Sequence, residues 1–391
     1  MSDLEEATMK SSIGWNALER SSVLDGLSVL EVGGIGPVQF AGMFLAQLGA
    51  HVVRIERPDT VATYGFDPRE DLLNAGKRSV VLDLKDARGL RVTLDAIMRS
   101  DVVIEGFRPG VIERLGIDPQ RCLDLNPRLI FGRMTGWGQD GPLATHAGHD
   151  VNYIGLTGLL PMIGEAGRPP QLPLSIVGDF AGGGCYLVIG VLAALEQMRR
   201  TGRGEIIDAA MLDGVCHLMT AFHALSNAGE WAPRRQANVL DGGAPFYGLY
   251  ETSDGRFMAV GAIETVFYAR VLAVLGLSGL LSHQFDRDNW PRARARIAAV
   301  FATRPQADWA SDFASVDACV SPVLAQGEAA GHPQHQSRGT LVEQDGRVWA
   351  RPAPRFNRAA TRSMPPPPVP GQHTREVLLE WGLDPDAIEN G

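Results

Sequence analysis

The sequence predicts an α/β protein with a large Rossmann-like open-sheet domain and a smaller α+β domain. Its 391 residues are more than one ordinary hydrophobic core accommodates. Between about residues 27 and 210, short apolar runs alternate with helical patterns, which is typical of βαβ units. From about residue 229 the pattern changes to a hairpin around Asp254-Gly255, followed by helices, which indicates a second domain.

The large domain is predicted to contain strands and helices in alternation. The strands are 27–32, 52–56, 80–84, 101–105, 129–134 and 205–210, and the main helices are 40–48, 85–99 and 182–199. The glycine-rich turn after the first strand is similar to a nicotinamide-binding fingerprint. A G-x-G-x-x-G pattern from Gly34 needs a third glycine at position 39, where the chain has Gln39. The sequence therefore disfavours a dinucleotide-dependent oxidoreductase.

The predicted domain bounds follow from these changes in pattern. We expect an N-terminal extension over 1–23, a large α/β domain over 24–228, a linker with the small α+β domain over 229–345, and a C-terminal segment over 346–391. A proline-rich stretch at 364–368 and a last helix at 374–381 lie in that C-terminal segment.

Composition disfavours several classes of function. The net charge of −9 disfavours a general nucleic-acid binder. The four cysteines lie far apart and without metal-ligand spacing, so no structural metal is expected. The acidic N-terminus does not resemble a signal peptide, and no run of 18 apolar residues predicts a membrane span. We expect a cytoplasmic protein that does not bind a membrane.

The candidate catalytic groups are His149 and Asp179. Each stands beside glycine at a predicted loop-to-helix junction. A histidine and a carboxylate can move one proton in two directions, and we expect them to flank a carbon acid. Asp179 suits this role only if burial raises its pKa towards neutrality. Taken alone, Asp179 is equally explained as a helix N-cap, and eight other histidines are interpreted as surface or core residues.

A set of cations could bind a phosphorylated ligand. Arg57, Lys77, Arg78 and Arg108 are predicted near strand ends, and ligands of open sheets bind at the carboxyl ends of strands. A solvated surface is the alternative explanation for each of them.

Six motifs together resemble the α-methylacyl-coenzyme A racemases of the family III coenzyme A-transferase superfamily. They are LNAGKRSVVLDLK, EGFRPGVIERLG, RMTGWGQDGP, AGHDVNYIG, GDFAGGG and GAIE, within about 27–358. The resemblance implies an interlocked homodimer in which the C-terminal segment returns to the large domain. The active site would lie between the large domain of one subunit and the small domain of the other.

The resemblance also assigns roles to residues. It implies that Glu264 hydrogen-bonds and tunes His149, and that the Asp150 amide stabilises the enolate oxygen. Alone, Glu264 would be explained by the helix macrodipole. The acyl-coenzyme A substrate would contact Arg57, Lys77, Arg78, Arg108, Ile35 and Asn152. Since coenzyme A is part of the substrate, no cofactor is expected.

The implied activity is racemisation of 2-methylacyl-coenzyme A thioesters by deprotonation and reprotonation of the α-carbon. The alternative is a family III coenzyme A-transferase in which Asp150 is a covalent nucleophile. A third hypothesis is a non-catalytic acyl-coenzyme A binding protein, which would not need both His149 and Asp179. The sequence does not identify the acyl chain or the pathway.

Overall fold

The large sheet of the computed structural model has the strand order of a dinucleotide-binding fold. The structure describes residues 22–58, 65–344, 346–359, 364–383 and 385. Over these residues the largest sheet has six strands in the order β3-β2-β1-β4-β5-β6. The pairs β1–β2, β1–β4, β2–β3 and β4–β5 are parallel. The predicted Rossmann-like α/β class is confirmed.

The strands and helices of this part of the chain have the following bounds. The strands are β1 (Ser28–Val32), β2 (His51–Glu56), β3 (Arg78–Val81), β4 (Val102–Glu105), β5 (Ile130–Thr135) and β6 (Glu205–Ala210). The helices are α1 (Pro37–Gln47), α2 (Ala87–Arg99), α3 (Val111–Arg114) and α4 (Pro119–Leu125). β3 begins two residues before the predicted strand, and α2 begins two residues after the predicted helix start, which is the usual uncertainty of element ends.

The remaining elements include segments that the sequence did not predict. The helices are α5 (Asp150–Gly155), α6 (Tyr186–Thr201), α7 (Met211–Leu218), α8 (Thr220–Asn227), α9 (Thr265–Val274), α10 (Trp290–Phe301), α11 (Gln306–Phe313), α12 (Gln326–Ala329), α13 (Pro333–Arg338) and α14 (Thr374–Glu380). A π-helix, Val177–Cys185, runs directly into α6. The strands are β7 (Tyr247–Glu251), β8 (Phe257–Gly261), β9 (Val320–Pro322), β10 (Leu341–Gln344) and β11 (Arg347–Ala350).

The structure falls into two units along the chain. One takes the described residues within 1–135, 184–209 and 352–391, and the other those within 136–183 and 210–351. The predicted bounds instead assign 136–183 and 210–228 to the large domain. The predicted extension at 1–23 lies almost entirely outside the described residues.

The loops that follow β1 and β4 pack against each other in the first unit. A Cβ added at Gly33 would lie 2.4 Å from the Phe107 ring, and one at Gly106 would lie 3.0 Å from the Gly34 Cα. Gly33 and Gly34 have φ values of 65° and 89°, which favour glycine. Strand order reverses between β1 and β4, so these loops border the crevice where open sheets bind ligands.

A charged cluster is buried between β1, β2 and α1. Arg54 on β2 pairs with Glu31 on β1, and its Nε lies 3.4 Å from Glu56. The Lys77 ammonium lies 2.8 Å from a Glu31 carboxylate oxygen. A Cβ at Gly42 on α1 would lie 2.0 Å from Glu31, so only glycine lets the helix cover this carboxylate. Buried carboxylates need such partners because removal from water penalises their charge.

The C-terminal segment lies against β3. Ser79 donates its main-chain N–H to His373 Nδ1 at 3.1 Å, and Val81 donates to Thr374 Oγ1 at 3.0 Å. Val377 and Leu378 of α14 are fully buried in the core that lies on this side of the sheet. The described residues within 352–391 therefore belong to the first unit, whereas 346–351 belong to the second.

The second unit contains the predicted hairpin. β7 and β8 pair antiparallel, and Thr252 donates to the main-chain oxygen of Arg256 across the turn. Gly255 has a φ of 73°, so the predicted Asp-Gly turn is confirmed. The structure adds β9 beside β8 and a separate β10–β11 hairpin. β9 was missed because its three residues are too few to show a periodicity.

The helix predicted at 182–199 begins earlier than expected. The π-helix already contains Asp179, so the prediction that this residue lies in front of the helix is wrong. The glycines at 182–184 allow the close approach of this segment to its neighbours. A Cβ at Gly182 would lie 2.6 Å from Val215, for example. Short π-helical segments occur frequently at functional sites.

The same helical run is apolar over a long stretch. Leu174–Thr201 is long and apolar enough to cross a membrane by length and composition alone, with 39% of its apolar window buried. A core helix of a folded domain meets the same criterion. The absence of a membrane segment stays a prediction.

We expect the Arg54→Met substitution to lower the free energy of unfolding by about 3 kcal/mol, because Glu31 and Glu56 would lose their shared buried partner. Urea denaturation followed by circular dichroism measures this loss. The control is Arg69→Met, whose ion pair with Asp67 is exposed and contributes about 0–1 kcal/mol. Equal losses in the two variants would contradict a structural role for the buried cluster.

Candidate active site

His149 stands immediately before α5 in an extended conformation, with φ −131° and ψ 173°. Its N–H donates to Asn152 Oδ1 at 3.0 Å, and its carbonyl oxygen accepts from the Asn152 N–H at 2.8 Å. This reciprocal pair fixes the backbone on both sides of the histidine. The imidazole is exposed. Asn152, predicted to contact coenzyme A, therefore orients the His149 backbone in this structure.

An aromatic pair supports the peptide that precedes His149. Tyr153 donates its hydroxyl to the Gly148 carbonyl oxygen, and its ring meets Trp137 edge-on with centroids 4.7 Å apart. A Cβ at Gly136 or Gly148 would lie 2.0 or 2.6 Å from the Tyr153 ring. Both glycines are therefore required for Tyr153 to reach this carbonyl.

Asp150 connects α5 to the π-helix. Its carboxylate accepts the Asp179 N–H at Oδ1, at 3.0 Å, and also accepts the Gly178 N–H. A Cβ at Gly178 would lie 2.1 Å from Oδ1, so only glycine allows this approach. Asp150 is 8% exposed, and burial raises the pKa of its carboxyl group while the two amides lower it. The carboxylate thus joins the segments that carry His149 and Asp179.

Asp179 has the titration behaviour that an acid–base group near neutral pH needs. Burial and then the nearby charge of Asp150 raise its pKa to about 6, whereas His149 and a hydrogen bond from Ser175 lower it. The hydrogen bond between the Asp179 N–H and Asp150 places Asp179 beside the residue that follows His149. The structure therefore brings together His149, Asp150 and Asp179 in the second unit. The sequence analysis required that burial raise the pKa of Asp179, and it does so in this structure.

Glu264 occupies the residue before α9, at the end of a turn after β8. Its main-chain oxygen accepts from Phe267 and Tyr268, and its side chain is exposed. Gln284 Nε2 donates to the Ile263 carbonyl oxygen at 2.8 Å and holds the turn in place. No hydrogen bond between Glu264 and His149 is present among the described residues of one chain. The predicted pairing of these two side chains stays a prediction.

Three of the predicted coenzyme A contacts lie on loops that follow strands. Ile35 follows β1 and is 64% exposed, Arg57 follows β2, and Arg108 follows β4. The two arginine side chains are exposed. Because carboxyl ends of parallel strands share one edge of a sheet, these residues belong to the same edge.

The other two cations are placed differently. Lys77 precedes β3, and its side chain is fully buried against Glu31, with Nζ donating to the Gln39 carbonyl oxygen at 2.9 Å. Burial lowers the pKa of its ammonium group to about 8. Arg78 opens β3 and pairs with Glu376 and Glu380 of the C-terminal helix. Both residues lie at the start of β3 rather than after a strand, and both cations are already paired within the chain.

Three residues that support the site were missed at the sequence level: Tyr153, Ser175 and Gly178. Tyr153 and Gly178 lie inside or beside the motifs that carry His149 and Asp179, so their position was the available signal. Ser175 precedes Asp179 by four residues, but no periodicity indicates that this segment is helical. No group of three or more potential metal ligands occurs among the described residues.

Comparison with known proteins identifies the family. The model of CoA-transferase family III matches residues 24–374. The human protein named alpha-methylacyl-CoA racemase is 43% identical over 372 residues, covering 93% of this chain and 95% of the human one. An acetyl-CoA:oxalate CoA-transferase of Acetobacter aceti is 31% identical over 338 residues, covering 82% of this chain and 86% of its own length.

A solved structure gives the same fold. The crystal structure of a CaiB/BaiF family protein from Brucella suis matches with a TM-score of 0.80 at 24% identity, covering 93% of this chain and all of that one. At this identity the match supports the fold alone. Given the family model and the identity to the human relative, this chain belongs to CoA-transferase family III.

Proposed function

We propose that this protein interconverts the 2R and 2S forms of 2-methylacyl-coenzyme A thioesters. The observation that carries the proposal is that Asp150, next to exposed His149, is hydrogen-bonded to half-buried Asp179, whose pKa is raised to about 6. Two proton-transferring groups, one on each side of the α-carbon, suit the removal and return of one proton. The 43% identity to the human relative named as a racemase supports the same chemistry.

The reaction divides between the two side chains. In one direction the neutral imidazole of His149 removes the α-proton, the electron pair forms an enolate, and protonated Asp179 delivers a proton to the opposite face. In the other direction the roles exchange. The Asp150 N–H begins α5, where amides have no acceptor within the helix, and would donate to the enolate oxygen. No cofactor is proposed, because the thioester itself acidifies the α-carbon.

Coenzyme A binding is assigned to the carboxyl edge of the large sheet. Arg57 and Arg108 supply positive charge there, and Ile35 supplies an exposed apolar side chain beside the glycine-rich turn. Guanidinium groups bind phosphate by paired hydrogen bonds. Lys77 and Arg78 are assigned structural roles instead, since both are already ion-paired.

The coenzyme A-transferase is the second candidate, and Asp150 discriminates between the two. A covalent nucleophile must attack with a carboxylate oxygen. Here the carboxylate accepts two helix N–H groups, and Asp150 is 8% exposed. These bonds favour a supporting role for Asp150 and therefore the racemase. The coenzyme A-transferase stays the second candidate because one relative is named as a transferase.

A homodimer is proposed from the placement of Glu264. Its carboxylate and the His149 imidazole are both exposed and are not bonded to each other within the described chain. A second copy would bring Glu264 to His149, orient the imidazole and stabilise its protonated form.

The direct test follows the α-proton. A (2R)-2-methylacyl-coenzyme A is incubated with the protein in deuterated water and observed by NMR. We expect deuterium at the α-carbon and a 2R/2S mixture without any acceptor acid. His149→Ala should reduce exchange by at least about 100-fold, whereas His146→Ala, three residues earlier, should not. Transfer of coenzyme A to an added carboxylate without exchange would instead establish the transferase.

The Asp150→Asn variant separates the two candidates. Its amide oxygen can still accept the Gly178 and Asp179 N–H groups, so a racemase should lose less than about 100-fold in exchange rate. A transferase would lose all turnover because the nucleophile is gone. Thermal unfolding checks that the variant is folded. A folded variant without any exchange would contradict the supporting role of Asp150.

Co-expression tests the contribution of Glu264 across subunits. Chains carrying His149→Ala and Glu264→Gln, with different affinity tags, are purified as the mixed dimer. One of its two sites then retains both native groups, so exchange should recover to about half of the wild-type rate. If the pair acts within one chain, the mixed dimer should reach only about half of the rate of the Glu264→Gln homodimer.

A further inference from the structure

One arginine is bonded to both sides of the loop that carries Arg108, the loop 106–110 between β4 and α3. Arg133 on β5 donates from Nε to the carboxylate of Glu105, the last residue of β4, at 2.9 Å. Its Nη2 lies 2.8 Å from a carboxylate oxygen of Glu113 on α3. We propose that Arg133 is a positioning residue for coenzyme A binding, because it fixes the loop from which Arg108 reaches the substrate. This inference rests on the proposed function and names the residue that orders its binding loop.

Glu105 holds the first half of the loop. Its side chain is fully buried and accepts the Phe107 main-chain N–H at 2.7 Å. The Phe107 ring lies against Gly33 in the loop after β1, where an added Cβ would overlap the ring. A buried carboxylate needs a cation to keep such an arrangement, and Arg133 supplies it. Arg133 thereby fixes the peptide immediately before Arg108.

Glu113 holds the second half of the loop. The Val111 N–H donates to the Arg108 carbonyl oxygen at 3.0 Å, so Arg108 is bonded directly to the first residue of α3. Ile112, the next residue, is fully buried and anchors this short helix in the core. The ion pair with Glu113 therefore ties the backbone that follows Arg108 to the same β5 side chain.

Neutralisation of Glu105 alone would be a simpler explanation for Arg133. One ammonium group can serve that purpose, as the Lys77 ammonium does beside Glu31 in the same sheet. The Arg133 guanidinium instead uses two different nitrogens for two carboxylates, one on each side of the loop. A planar group with separate donors suits such bridging, whereas an ammonium does not. Because the Arg108 side chain is exposed, its position depends on the backbone that this bridge holds.

A double-mutant cycle with Arg133→Lys and Arg108→Ala tests this role. Lysine keeps a positive charge beside Glu105 but cannot also reach Glu113. We therefore expect the Kd of free coenzyme A, measured by isothermal titration calorimetry, to rise about tenfold. Arg108→Ala should raise the Kd by a similar factor. Since Arg133 acts through the Arg108 loop, the double variant should bind within about threefold of Arg108→Ala, whereas independent effects would weaken binding about 100-fold relative to the wild type.

The exchange assay and a matched variant complete the test. Arg133→Lys should raise KM for the thioester and leave kcat within about twofold of the wild type. Arg128→Lys, at an exposed arginine just before β5, should bind coenzyme A as the wild type does.

The outcomes separate this inference from the proposed function. Additive losses in the cycle, or an unchanged Kd in Arg133→Lys, overturn the role of Arg133 and leave the racemase intact. A fall in kcat with a lowered melting temperature and an unchanged KM also overturns it, because that result indicates a purely structural role. A wild-type protein that does not bind coenzyme A overturns the inference together with the coenzyme A site at the sheet edge. A wild-type protein that binds coenzyme A without exchanging the α-proton overturns the racemase alone.

Discussion

The acceptance of two main-chain N–H groups by the Asp150 carboxylate is the interaction on which the rest of the candidate site depends. It joins the residue after His149 to the peptide of Asp179, which lies 29 residues later in the chain. The two candidate bases are thereby held by one short connection rather than by two independent loops. The same proximity places a negative charge beside Asp179 and raises its pKa. One carboxylate thus supplies both position and electrostatic tuning.

The elements that the sequence predicted well are those with a local signal. Buried strands such as Val102–Glu105 are continuous apolar runs, and the Asp254-Gly255 turn has few alternative conformations. The candidate bases were found because each lies in a recognisable motif. Their chemical partnership, by contrast, depends on the contact between Asp150 and the π-helix, which no local pattern encodes. The fold class was therefore predictable, while the geometry of the site was not.

The positions of the cations illustrate the same limit. Lys77 has the sequence neighbours of a ligand-binding lysine, but its ammonium neutralises Glu31 in the core. Detecting this requires the pairing of β1, β2 and β3, since the partners are 46 residues apart in the chain. Arg78 similarly engages Glu380, which lies 302 residues away. A lysine or arginine in the sequence can bind a ligand only when no carboxylate distant in the chain already pairs with it.

The residues before Asp179 differ in how well they tolerate substitution, and Gly178 is the most restricted of them. Any side chain at 178 would overlap the Asp150 carboxylate, so this position is closed to the other amino acids. Leu174 and Ser175 on the N-terminal side are exposed, and replacements there meet few neighbours. On the N-terminal side of Asp179, sequence change is therefore tolerated in the exposed 3-10 turn at Leu174–Ile176 and excluded at Gly178. A side chain at Gly178 would displace the carboxylate that holds the main chain of Asp179.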